Sequence, residues 1–258
     1  MNTNLSIIIA TFNSDKTVKK TLESLVSQTY KNFEIIIVDG FSRDNTVSII
    51  KEYEKRFDAL KIPYNWSSEK DSGIYDAWNK GLGKVNTDWI AFLGSDDTYY
   101  PNALEIYNKA ITKNPKINYI SSKVELIDRN DKVLKVIGKP YKYKQMKRYM
   151  DIAHVGSFHH VDLFKKHGNF NLNYKIVADY DFFLKCGKDI RAAYINEITT
   201  KMLNAGISNQ NVTNVFKEVL KTHLAHRKIS VPQAYFEYLY NHIRIYSSLI
   251  KGKTSFKT

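Results

Sequence analysis

Two adjacent carboxylates, Asp96 and Asp97, follow the apolar run Trp89 to Leu93 within the stretch TDWIAFLGSDDTY, Thr87 to Tyr99. Carboxylates this close repel each other unless a cation sits with them. A hard divalent ion, held by one carboxylate and by phosphate oxygens, would meet that need. Taken alone, the pair would be a solvated turn. Two further polar clusters stand in the same relation to apolar runs: Thr11-Phe12-Asn13 ends Leu5 to Ala10, and Asp39-Gly40 ends Phe33 to Val38. Another acidic pair, Asp179 and Asp181, opens a helical pattern further on. His154, His159 and His160 flank a short apolar run, but the spacing is not that of a zinc site, and such histidines are more often satisfied polar residues than ligands.

The elements that must position these residues follow from periodicity. Leu5 to Ala10 and Phe33 to Val38 read as buried strands, Ile62 to Trp66 as a weaker one, and Trp89 to Leu93 as a fourth. Between them Val18, Leu22, Leu25 and Val26 give one buried helical face, with Asn13 or Ser14 as its cap. Val47, Ile50, Tyr53 and Phe57 give a second, with Ser42 as cap. Ile74, Ala77, Trp78, Gly81 and Leu82 give a third, which places Asp76 and Asn79 on the opposite face, toward a ligand or toward water. A helix from Pro101 to Asn114 closes the series. Alternation of this kind predicts an α/β fold, Rossmann-like, with a mainly parallel sheet and helices on both faces. The three polar clusters then share the carboxyl edge of the sheet, where open α/β sheets bind ligands.

Beyond Asn114 the pattern changes. Asn118 to Ile127 and Lys132 to Ile137 predict an added antiparallel hairpin. Val155 to Val161 predicts a short strand, Asp162 to His167 a short helix stopped by Gly168, Ala178 to Gly187 a helix, and Arg191 to Ile195 a late strand. Two helical stretches, Val212 to Lys228 and Pro232 to Ile250, form a C-terminal extension over residues 209–258.

The chain has 258 residues, 43% of them hydrophobic, a formal net charge of +13 and one cysteine, Cys186. One α/β domain with appendages fits that length, and no intrachain disulfide is possible. No run approaches the roughly 20 apolar residues of a membrane span, and Leu5 to Ala10 is too short and too early for a signal peptide. The expectation is a cytoplasmic protein, or one held peripherally on the inner face of the cell membrane. The charge permits nucleic acid, an anionic membrane or a phosphorylated ligand. Nucleic acid is not expected, since no recognition motif is present and the acidic strand ends argue against it. From Asn209 onward eight Lys/Arg stand against two acids. Tyr235, Tyr238, Leu239, His242, Tyr246 and Leu249 form an aromatic-rich stripe there, suited to an anionic membrane surface or to packing on the domain. The basic segment Lys139 to Met150 is a second candidate.

SIIIATFN, VDG followed by SRDNT, EKDSGIYDAWNKG, WIAFLGSDD and VADYDFFLK occur in this order. Together they resemble the bacterial family 2 glycosyltransferases with a GT-A fold, of the surface-polysaccharide type, over about Leu5 to Ser208. The resemblance implies a GT-A glycosyltransferase domain at 1–208, with a nucleotide-sugar-binding half (1–114) and an acceptor and catalytic-base half (115–208). It implies a nucleotide-sugar donor, UDP by family habit, a glycan or lipid-linked acceptor, Mn²⁺ or Mg²⁺, and inverting transfer. Thr11, Phe12 and Asn13 would form the first nucleotide loop; Asp39 would accept from the base, with Gly40 allowing close approach. Lys70, Asp71, Asp76 and Asn79 would lie near the donor. Asp97 would be the metal ligand, with Asp96 toward ribose or sugar. Asp179 would be the catalytic base, although this chain has Ala178 before it where many members have Glu. His154, Asp181 and Ser208, the last in the loop Ala205 to Ser208, would lie near acceptor or diphosphate. A sugar nucleotidyltransferase is the less favoured alternative, because ATFNSDK is not a Gly-rich phosphate loop. A non-catalytic nucleotide-sugar- or membrane-binding member is the other. Processive synthases carry membrane spans and a Gln-x-x-Arg-Trp motif, both absent here, so one sugar per encounter is expected.

Overall fold

A computed structural model describes residues 4–204, 206 and 211–250, with side chains through residue 243. The first half alternates as expected: β1 (Leu5–Thr11), α1 (Val18–Val26), β2 (Phe33–Asp39), α2 (Thr46–Glu52), α3 (Glu54–Ala59), β3 (Tyr64–Ser68), α4 (Ile74–Leu82) and β4 (Trp89–Gly94). A short strand β5 (Thr98–Tyr99) and α5 (Ala103–Lys113) come next. The second half comprises β6 (Tyr119–Ile127), β7 (Val133–Ile137), α6 (Tyr143–Met146), β8 (Ser157–His160), α7 (Val161–His167), α8 (Ala178–Cys186), β9 (Ala192–Leu203), α9 (Val212–His226) and α10 (Val231–Ile250).

One sheet runs β3-β2-β1-β4-β8-β6-β9-β5, with β7 on β6. β1, β2, β3 and β4 are mutually parallel. β8 is antiparallel to both β4 and β6, and β9 runs parallel to β6. Both faces are covered: Ile7 and Ile9 of β1 point into a layer with Leu22, Ile50, Phe57, Leu104 and Tyr107. Ile8 points into the other, with Trp78, Phe92, Phe164, Phe182 and Phe183. Burial of each such side chain removes apolar surface worth about 1.5–3 kcal/mol, so β1 is held from both sides.

Several local expectations change. The second helix breaks at Tyr53 into α2 and α3, and its stripe survives the break because Ile50, Tyr53 and Phe57 are all buried. Neither Asn13 nor Ser14 caps α1 by its side chain: Asn13 has φ 47°, its Oδ1 accepts from Arg43 N–H (3.0 Å), and Thr17 is the cap residue. Ser42 does not cap α2: Asn45 is the cap residue, without a side-chain cap bond, and Asp44 just before it accepts from Thr46 N–H (2.9 Å). The late strand β9 extends to Leu203, because its far half pairs with β6.

Candidate active site

The parallel register brings the three clusters together. Thr11 pairs with Asp39 and Ala10 with Gly94. Hydrogen bonds then join the loops beyond these strand ends. Asn13 N–H donates to Ser42 Oγ (2.8 Å), Ser14 N–H to Thr46 Oγ1 (2.7 Å), and Ser14 and Ser95 share a hydroxyl contact of 2.9 Å. Asp39 is fully buried and receives four donors. Thr11 Oγ1 (2.9 Å) and Ser42 Oγ (2.5 Å) reach Oδ1; Ser42 N–H (2.9 Å) and Ser68 Oγ (2.6 Å) reach Oδ2. A carboxylate has about four lone-pair sites, so contact with a base N–H requires one of the hydroxyl rotors to turn away. Gly40 has a steric reason: a Cβ there would lie 2.6 Å from Asp71 Oδ2. Asp71, half-buried, accepts from Gly73 N–H (2.9 Å), and its carboxyl is raised by burial against the opposing pull of that amide and Lys80.

Two exposed rings stand on this edge. Phe12 is 62% exposed, and Phe41, which the sequence reading missed, is 50% exposed with φ 66°. A bulky residue in the left-handed region is an outlier that calls for a functional explanation. A large side chain directly after Asp-Gly at a strand end was the signal available.

Gly94 is required for space rather than for φ. A Cβ on it would meet Asp97 Oδ2 at 2.6 Å and Asp96 Oδ1 at 2.9 Å, so both carboxylates converge over the glycine. Asp97 is nearly buried, and its other oxygen accepts from Leu203 N–H (3.0 Å), which ties it to β9. Burial raises both carboxyls, and for Asp97 the charge of Asp96 adds to it. Two converging oxygens that are costly to ionise together suit a hard divalent ion. Among the described residues no group of three or more Asp, Glu, His or Cys forms a metal cage.

Asp179, on the first turn of α8, is half-buried. Its Oδ1 accepts from Tyr75 O–H (3.0 Å) and from the N–H of its neighbour Tyr180 (2.8 Å). Tyr75 is held protonated, because burial and then the Asp179 charge push its hydroxyl well above the ordinary value. His154 lies beside Asp179 but within an aromatic layer, stacked on Phe92 at 5.5 Å and 14° and 5.5 Å from Trp78. Burial lowers it despite the opposing Asp179 charge, so it is a neutral imidazole at neutral pH. His160 caps α7 by accepting from Asp162 N–H.

Two expected site residues are engaged elsewhere. Asn79 faces away from the carboxylate edge: its amide donates to Phe170 O (2.9 Å) and accepts from Phe170 N–H (3.0 Å), which fixes the 170 loop on α4. Asp181 is 1% exposed and paired with His226 (2.7 Å) and Lys185 (3.1 Å). Burial opposes its ionisation, but these two partners outweigh it and hold the carboxyl below its usual range. It joins α8 to α9, with its carboxylate held by Lys185 and His226. Ser208 lies outside the described residues. Asp76, in the first turn of α4, accepts from Ser72 N–H (2.9 Å), and Lys70 is exposed on the loop that leads into α4.

Residues 6–168 match the profile of Glycosyl transferase family 2. The chain belongs to that family. A PGL/p-HBAD biosynthesis glycosyltransferase of Mycobacterium bovis is 29% identical over 220 residues, 84% of this chain and 82% of that protein. The fold is shared with Staphylococcus aureus TarS 1-349 in complex with UDP: TM-score 0.68, 19% identity, 86% of this chain and 65% of that one. This chain covers 40% of the longer TarS structure. It is also shared with the mannosyltransferase PcManGT of Pyrobaculum calidifontis, in complex with GDP-Man and Mn²⁺: TM-score 0.63, 14% identity, 92% of this chain and 74% of that one. The molecule is therefore a glycosyltransferase with a GT-A fold, and among its described residues no helix is long and apolar enough to cross a membrane.

Proposed function

We propose that this glycosyltransferase moves one sugar from a UDP-sugar to a glycan or lipid-linked acceptor of surface polysaccharide synthesis, with inversion at the anomeric carbon. The observation that carries this reading is the convergence of Asp96 and Asp97 over Gly94, on the same edge as the loops around Thr11 and Asp39. UDP in the TarS complex and GDP-Man with Mn²⁺ in the PcManGT complex support a nucleotide sugar and a divalent ion. Residues 1–114 would serve the donor and 115–208 the acceptor and the base, within one continuous sheet.

Phe12 and Phe41 would take the nucleotide base between or beside their rings. Asp39 would accept from the base once Ser42 or Ser68 turns its hydroxyl aside. Asp71, Asp76 and Lys70 would line the sugar and phosphate end of the donor. Asp97, with Asp96 beside it, would hold Mn²⁺ or Mg²⁺; such an ion supplies charge neutralisation to a departing diphosphate. Asp179 would take the acceptor hydroxyl's proton at Oδ2, which has no hydrogen-bond partner among the described residues, while Tyr75 fixes Oδ1. As the acceptor oxygen bonds to the anomeric carbon, the bond from that carbon to the diphosphate breaks and its electron pair leaves with UDP. Neutral His154 and the rings around it would keep this wall of the site dry. The apolar, base-flanked surface of α10 would meet an anionic membrane that presents a lipid-linked acceptor.

Calorimetric titration of UDP, GDP, CDP and dTDP, each with and without Mn²⁺, tests the donor reading. The expected result is UDP binding that depends on the metal. Failure of all four nucleotides to bind a folded sample overturns it in favour of the non-catalytic alternative.

A further inference from the structure

The three residues before α8 carry the base into the site, and their backbone is held from outside the sheet. Glu218 of α9 accepts from Lys175 N–H at Oε1 (2.9 Å) and from Ile176 N–H (2.9 Å) and Val177 N–H (3.1 Å) at Oε2. On the opposite side Tyr75 O–H lies 2.8 Å from Ile176 O as well as 3.0 Å from Asp179 Oδ1, and Lys175 Nζ donates to Ser72 O (3.0 Å). The segment 175–177 is thus clamped between α9 and α4, with Asp179 two residues beyond the clamp. We infer that Glu218 is a positioning residue for Asp179, which makes α9 a working part of the active site although it lies outside the matched family profile. The inference rests on Asp179 being the base.

The physical case is one of charge and number. An ionised carboxylate bound to three consecutive amides makes charge-assisted hydrogen bonds stronger than neutral ones. It also places negative charge at the N-terminal end of α8, where the helix dipole favours it. Without it, three N–H groups lose their acceptor and the segment can relax by rotation about its own backbone. A shift of about 1 Å in a reacting group can cost on the order of 100-fold in rate. A simple helix cap would give a different pattern, with a loss of stability and no loss of turnover in the folded fraction. α9 keeps other attachments when Glu218 is removed: His223 Nε2 lies 2.9 Å from Tyr180 Oη, and His226 pairs with Asp181. The variant is therefore expected to fold.

The test compares Glu218→Ala, Glu218→Gln and Phe216→Leu in the full chain. Phe216→Leu loosens α9 against His242 of α10 without touching the clamp. The readout is UDP release from UDP-glucose, UDP-galactose and UDP-GlcNAc with Mn²⁺ present and water as acceptor, together with UDP affinity by calorimetry. Glu218→Ala is expected to lower kcat by roughly 10- to 100-fold, with the KM for donor and the Kd for UDP within about twofold of the parent. Glu218→Gln, whose single carbonyl oxygen replaces one of two acceptors, should fall between, and Phe216→Leu should turn over like the parent. Parent-like kcat in Glu218→Ala, or a parallel loss of UDP affinity, overturns the inference. Asp179→Asn separates the two readings. If it turns over like the parent, the base assignment fails and the inference with it. If it is inactive while Glu218→Ala is not, only the inference fails.

Discussion

At the scale of residues, the carboxylates divide by what already binds them. Asp39 and Asp181 have their oxygens engaged by internal donors or cations, whereas Asp97 and Asp179 each have one oxygen tied and one without a hydrogen-bond partner among the described residues. A group with a free oxygen and a fixed partner is oriented for chemistry. This division was not legible in the sequence, which shows only Asp after a strand or at a helix start. Two substitutions test it. Asp97→Asn should weaken UDP binding in the presence of Mn²⁺ by at least about tenfold, roughly 1.4 kcal/mol, and leave metal-free binding unchanged. Asp179→Asn should lower kcat by roughly 10²- to 10⁴-fold, the range for loss of a general base, with UDP affinity retained. Calorimetry beside a UDP-release assay checks both. Unchanged metal-dependent affinity removes Asp97 from the metal site, and unchanged turnover removes Asp179 from the mechanism.

At the scale of elements, the series from β1 to β4 was legible, apart from the break between α2 and α3, because strand and helix periods alternate cleanly and three of the strands end in polar clusters. Asn79 was misplaced for an instructive reason. Helical period correctly set it apart from Ile74 and Trp78, but the partner on that side is the 170 loop, nearly a hundred residues away. The same long-range packing makes the layer of β4, β8 and α8, in which His159 is completely buried beside Phe92, Tyr119, Phe164 and Phe183. Burial, and then the charge of His154, holds His159 well below the ordinary histidine range; burial lowers His154 too. The unfolded chain titrates near about 6.5, so below that pH it binds more protons than the fold does. The histidine contribution to stability is therefore flat above about pH 6.5 and falls as pH drops below it, by roughly 1 kcal/mol at pH 5.5 for a histidine held neutral as His159 is. Urea denaturation of parent and His159→Phe at pH 7.5 and 5.5 checks this. The variant should lose part of the slope, and an unaltered slope would place its source outside this layer.

At the scale of the whole molecule, a mainly parallel half with antiparallel additions was legible, but the order of the additions was not. Nothing local in SFHH says that β8 lies between β4 and β6, because pairing there depends on a register set by distant strands. The expected stripe on α10 was partly turned the wrong way for a similar reason. Tyr238 and His242 face inward, with His242 against Phe216, while Tyr235, Phe236, Leu239, Tyr240 and Ile243 are the exposed face. Tyr246 and Leu249 have side chains outside those described. Arg148 bonds Glu237 at 2.8 Å, so this end of the basic segment 139–150, which also exposes Lys142, Lys144 and Tyr149, meets the helix. One ion pair thus joins two stretches far apart in sequence, one with an exposed apolar and aromatic face and one with exposed cations, a combination that anionic bilayers bind. The chain should therefore co-sediment with vesicles containing phosphatidylglycerol, bind pure phosphatidylcholine vesicles weakly, and detach as salt shortens the reach of the lysines. The double variant Phe236→Glu, Ile243→Glu should lower partitioning by at least about tenfold, since burying even one such side chain is worth more than about 1.4 kcal/mol. It should leave UDP release unaffected. Equal binding to neutral and anionic vesicles would remove the lysines from the interaction, and no binding to either would overturn the membrane reading of the exposed face of α10.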